Sequence, residues 1–132
     1  MNSVEVLIDN EYCKLELENG IVIATWKVSF IDIDIAKKTV NSRLEIFHGR
    51  SFPALLRIKT IKDSTKEARD FLASKEGCKG FNAGAIIVET ILENMIATLY
   101  IFLNKPLVPT KIFKDEAKAK EWLAAFVDKK PM

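Results

Sequence analysis

One histidine, two cysteines and a hydroxyl-bearing turn are the groups in this chain with nucleophilic or metal-binding chemistry to offer. A Ser-His-Asp or Cys-His arrangement needs a base beside its nucleophile, and that base would have to be His48. His48 precedes Gly49 at a predicted helix end, where a cationic side chain meets the last carbonyls favourably. It reads as a helix-end residue rather than a catalytic one. Cys13 and Cys78 lie far apart in the chain and do not complete a zinc site with His48, because a structural site takes four such ligands. Two thiols make no disulfide framework, so they read as reduced cysteines of a cytoplasmic protein. There is no phosphate-cradling glycine loop of the Walker or dinucleotide type. The acidic pairs Asp32/Asp34 and Asp115/Glu116 fall at helix starts, and no other spacing suggests paired carboxylates. The expectation is a protein that is not an enzyme, with no metal and no cofactor.

The segment Ile61-Lys62-Asp63-Ser64-Thr65-Lys66-Glu67-Ala68-Arg69 is the most informative. It joins a strand to a helix N-terminus, where backbone N–H groups and the helix dipole favour an anion. A phosphate added to a hydroxyl there would meet those donors. Ser64 or Thr65 also suits the cap of that helix, with Glu67 reciprocating. The two readings are compatible, and Asp63, Ser64 and Thr65 form a candidate regulatory turn.

The elements that position this turn follow from periodicity. Lys14–Glu18 alternates polar and apolar, Asn19-Gly20 is a strong hairpin signal, and Ile21–Trp26 reads as the paired strand. Val4–Ile8 is either a further strand or an arm. Ile33, Ala36, Val40, Leu44 and Phe47 share one helical face, with Asp32 or Asp34 as cap and Gly49 as stop. Phe52–Ile58 predicts a strand opened by Pro53, and Thr65 onward a helix closed by Gly77–Gly80. Ala83–Val88 is apolar without a break, as in a parallel strand buried on both faces. Thr90 and Glu93 start a strongly apolar helix that runs to Asn104-Lys105-Pro106. Pro109–Phe113 is a last strand, and Asp115 caps a final helix. The order β-β-α-β-α-β-α-β-α predicts an α/β fold with a mixed sheet and helices packed on it.

At 132 residues the chain suits one domain, with a core over about 12–127. Twenty basic residues against eighteen acidic ones leave a charge of only +2, which argues against a nucleic-acid partner. The N-terminus lacks a signal-peptide pattern, and Ile91–Leu103, interrupted by Glu93, Asn94 and Thr98, is too short and polar for a membrane span. In the helix over 90–103, Ile91, Leu92, Met95, Ile96, Leu99 and Leu103 make one stripe, widened by Tyr100, Ile101 and Phe102. One helix cannot bury all these faces against a single sheet. Tyr100, Ile101 and Phe102 are therefore candidate interface residues, for a homodimer or another partner, or the wall of a lipid pocket.

The element order and the Asp63-Ser64-Thr65 turn resemble the STAS domain of bacterial anti-sigma-factor antagonists, in particular its small stand-alone SpoIIAA-like members. Further matching landmarks are Glu67-Ala68-Arg69, Phe71-Leu72-Ala73, Ala83–Val88, Asn104-Lys105-Pro106, Pro109–Phe113 and Ala119–Leu123. The resemblance covers roughly residues 12 to 127. It implies a STAS/SpoIIAA-like fold and a non-catalytic regulatory module that binds a protein, such as a kinase-like protein or one of a sigma pathway. It places Asp63 on the family's aspartate, Ser64 on the next position and Thr65 on the phospho-acceptor. Where that family continues Gly-Leu-Gly, this chain has Lys66-Glu67-Ala68. An alternative reading is a carrier or sensor of a lipid or small hydrophobic ligand.

Overall fold

In the computed structural model, which describes residues 4–127, strands β1 (Val4–Asp9), β2 (Cys13–Glu18), β3 (Ile21–Trp26) and β4 (Phe30–Ile31) lead into helix α1 (Ile33–Phe47). Next come β5 (Phe52–Arg57), β6 (Asp63–Ser64), α2 (Lys66–Ala73), α3 (Lys75–Cys78) and β7 (Phe81–Ile87). Helix α4 (Ile91–Leu99) runs into a π-helical segment, Tyr100–Asn104, before β8 (Thr110–Phe113) and α5 (Glu116–Ala124).

Asn19 and Gly20 both adopt positive φ, 53° and 81°, as a two-residue hairpin turn requires. They pair β2 with β3 antiparallel, from Glu18 opposite Ile21 to Cys13 opposite Trp26. Val4–Asp9 is a strand and not a loose arm: it pairs antiparallel with β2, with a register shift between Val6 and Ile8. The main sheet has the order β1-β2-β3-β5-β7-β8, and the pairs from β3 onward are parallel. Pro53 sits inside this sheet without a backbone donor, and the register of β5 against β7 shifts at Phe52/Pro53. Strands β4 and β6, too short to show a period in the sequence, pair parallel in a separate two-stranded sheet.

The sheet is covered on both faces. On one, Ile21, Ile23, Leu55 and Ala85 pack against Ala119 and Leu123 of α5. On the other, Leu15, Val22, Ala24 and Ala54 meet Phe47 of α1, and Ile86 meets Ala97 of α4. Buried on both faces, β7 explains its unbroken apolar run.

Two elements differ from expectation. The chain after α2 forms an additional short helix, capped by Ser74, whose Oγ accepts from Gly77 N at 3.1 Å. A side chain at Gly77 would stand 2.0 Å from the Phe71 carbonyl oxygen, so the turn depends on glycine for close approach. The helix predicted to run to Asn104 is α-helical only to Leu99 and then widens to π geometry, ending at left-handed Lys105.

Candidate functional site

The face of the sheet opposite α5 is not filled. Its apolar side chains fall into three separate clusters, under the C-terminal end of α1, between α1 and α2, and under α4. Between them lies a cavity of about 180 Å³. Its floor is Leu15, Ala24, Leu56, Gly84 and Ile86 of the sheet, and its cover includes Leu72 of α2 with Ile96 and Ala97 of α4. The volume slightly exceeds the ~150 Å³ of an apolar cavity able to take up benzene, so there is room for a small apolar body of that order.

Few polar groups reach this space, and each has a local cause. Arg43 falls on the inward face of α1 with Ala36, Thr39, Val40 and Phe47, and is only 4% exposed. Its Nη2 donates to the carbonyl oxygens of Gly77 and Lys79, both at 2.7 Å, and its guanidinium stacks 3.9 Å from the centre of the Phe81 ring. Its Nε–H is buried without a partner. Burial pulls the guanidinium down to about 10, so it remains charged at neutral pH. Burial likewise pushes up the Cys13 thiol and the Tyr100 phenol, both of which line the cavity and stay neutral. Cys78 lines it too, its Sγ 3.5 Å from the carbonyls of Leu72 and Ala73. Among the described residues no carboxylate lines the cavity.

The Asp63-Ser64-Thr65 turn lies at its border. Thr65 caps α2, its Oγ1 accepting from Ala68 N at 3.0 Å. With Thr65 as cap, Glu67 stands one position too early to reciprocate, so the expected capping box does not form. Asp63 is exposed and its Oδ1 accepts from Ser64 N at 2.8 Å. Ser64 lines the cavity, with its carbonyl oxygen and Oγ accepting from Arg69 Nη1 at 2.6 and 3.0 Å. His48 is the exposed, left-handed C-cap of α1.

The orientation of the three candidate interface residues requires correction. Tyr100 turns inward to line the cavity, and Ile101 packs half-buried against the cluster under α4. Of the three, Phe102 alone faces solvent, at 72% exposure. The exposed stripe instead runs through Ile91, Leu92, Met95, Leu99, Phe102 and Leu103. Sequence reasoning missed Arg43 altogether. The available signal was an arginine at helical spacing inside an apolar stripe.

A family described as a domain of unknown function, DUF7793, matches residues 15–127. The chain belongs to it. Among solved structures, this DUF7793 chain is similar to an uncharacterized protein of the DUF3478 family with a SpoIIAA-like fold, from Shewanella loihica PV-4. That match has a TM-score of 0.59 and 16% identity, and covers 93% of this chain and 95% of the other. At that identity the likeness concerns fold alone, and the fold is SpoIIAA-like; the family shown for the chain is DUF7793. No curated protein matches the sequence.

The DUF7793 domain has a second, more polar depression of about 290 Å³ at the C-terminal ends of β3, β5 and β7. There Arg57 and Glu116 form a two-pronged ion pair, with Nε to Oε2 at 2.8 Å and Nη2 to Oε1 at 2.9 Å. Each group satisfies the other, and the remaining charges of the lining, Lys59 and Glu89, are exposed and 3.9 Å apart. Among the described residues no group of three or more His, Cys, Asp and Glu could hold a metal ion, and no helix is long and apolar enough to cross a membrane.

Proposed function

We propose that this domain is a binding module rather than an enzyme, and that its cavity takes up a small, mostly apolar ligand. The observation that carries this reading is the unfilled space between the three apolar clusters, lined by few polar groups. Ligand sites have that makeup: an apolar wall with a small number of placed polar groups. The cavity is compact, which sets the ligand at the size of a medium-chain acid or alcohol or a single substituted ring.

Trp26 lines the cavity, while Trp122 packs between Phe113 and Phe126 on the α5 side of the sheet. A Trp122→Phe variant therefore leaves one fluorescent reporter at the site. Titration with 1-octanol should change Trp26 emission in a saturable manner. An emission that does not respond in the folded variant would refute ligand uptake at this place.

The outward stripe of α4 and the π segment favours a second reading, protein association, as expected of a regulatory SpoIIAA-like module. Ile91 is 83% exposed and Leu92, Leu103 and Phe102 more than 60%, an apolar surface of a kind that marks interaction sites. The occupant under this reading is a second copy of the chain or a regulatory protein partner in the cytoplasm. Sedimentation of the wild type beside Leu92→Lys tests it, since an association through this face should be lost in the variant. The Asp63-Ser64-Thr65 turn, next to Arg69 at the cavity border, is the point where such a partner could be controlled; phosphate on Ser64 would meet that guanidinium.

A further inference from the structure

We infer that the cavity's ligand carries a compact anionic head group, and that Arg43 is its anchor. This rests on the reading of the cavity as a ligand site and names the ligand's class.

Arg43 is a full positive charge, 96% removed from solvent, in a space lined by apolar side chains. A buried charge is tolerated when an opposite charge faces it. Here the described residues supply none: both bonds of Nη2 go to neutral backbone carbonyls, and no aspartate or glutamate lines the cavity. The Cys13 thiol and the Tyr100 phenol, both pushed up by burial, offer no anion at neutral pH. Nε–H, one of the five donors of the guanidinium, is sealed from water and unpaired. Arg69 adds a second positive charge to the wall. Two cations, one of them buried without a counter-charge, and an apolar chamber match an amphiphile with an acid at one end and a short hydrocarbon body. A purely structural arginine would satisfy the two carbonyls equally well, but its free donor and missing counter-charge would remain unaccounted for.

Octanoate and 1-octanol share a hydrocarbon body and differ in the charge of the head group. Calorimetry at pH 7 on the wild-type chain should give octanoate the tighter binding by at least about tenfold, the contribution of one hydrogen bond to a charged group. Arg43→Met should bring the two ligands to within about twofold. Equal affinities in the wild type would overturn the acid head group and leave the cavity reading standing. Failure of both ligands to bind would overturn the two together. A preference for octanoate that persists in folded Arg43→Met would remove Arg43 as the anchor. If that variant does not fold, the wild type decides: the side-chain Nε–H resonance of Arg43 should move with octanoate and not with 1-octanol. A resonance that stays put with octanoate overturns the assignment.

Discussion

Ala97→Leu should make the domain more stable while it abolishes ligand uptake, a combination that separates a real void from a packed core. Ala97 is 2% exposed and lines the cavity. The substitution adds three carbon groups to that space, and each contributes about 0.8 kcal/mol when buried, or ~2.4 kcal/mol in all. Ordering the leucine side chain costs about 0.5–1 kcal/mol, which leaves a net gain of ~1.5 kcal/mol. For a chain of this size the melting temperature should rise by about 5 °C. Urea denaturation is the more direct assay, because an unchanged slope with a higher midpoint isolates the stability change. In parallel, the 1-octanol titration should weaken by at least about tenfold as the space is consumed. A loss of about 1 kcal/mol or more would instead be the signature of overpacking, and would refute the void beneath α4.

Three other perturbations have clear signs. Thr65→Ala removes the acceptor of the Ala68 N–H and should cost about 1 kcal/mol by urea denaturation, with no measurable cost pointing to a cap elsewhere. Gly77→Ala forces a methyl group to within 2.0 Å of a backbone oxygen, so it should destabilise by more than about 2 kcal/mol, and normal stability would show that the α2–α3 turn is looser than described. Glu116 is held below its usual range, first by the hydrogen bond from Arg57, so its contribution is complete above the unfolded value of about 4.3 and is lost as pH falls through the lower folded value. Because the pair is partly exposed, Glu116→Gln should cost less than about 1 kcal/mol at pH 7 and nothing at about pH 2, a convergence that urea midpoints across that range would show or deny.

Much of the scaffold was readable because its causes are local. The Asn19-Gly20 hairpin, the caps at Asp32, Thr90 and Asp115, and the doubly buried β7 each depend on a few adjacent residues. The strands β4 and β6 escaped notice because two residues carry no period. Orientation at the end of α4 was misjudged because the widening to π geometry at Tyr100 breaks the 3.6-residue phase on which the stripe was drawn. The candidate site was the least legible part. A cavity is a property of how far α1, α2 and α4 stand from the sheet, and no short stretch of sequence encodes that distance. Arg43 left a trace as the one charge within the stripe of α1, but its unpaired Nε depends on Gly77 and Lys79, more than thirty residues away.

That α4 buries only Ala97 completely has a kinetic consequence. Elements held by little apolar area detach in partial openings well below the free energy of global unfolding. The opposite side of the sheet, sealed by Leu55 and Leu123, has no such weakness. Backbone amides of α4 and the π segment should therefore exchange with deuterium long before those of β5 and β7. The same partial opening would give the proposed ligand a route to the interior without the sheet ever coming apart.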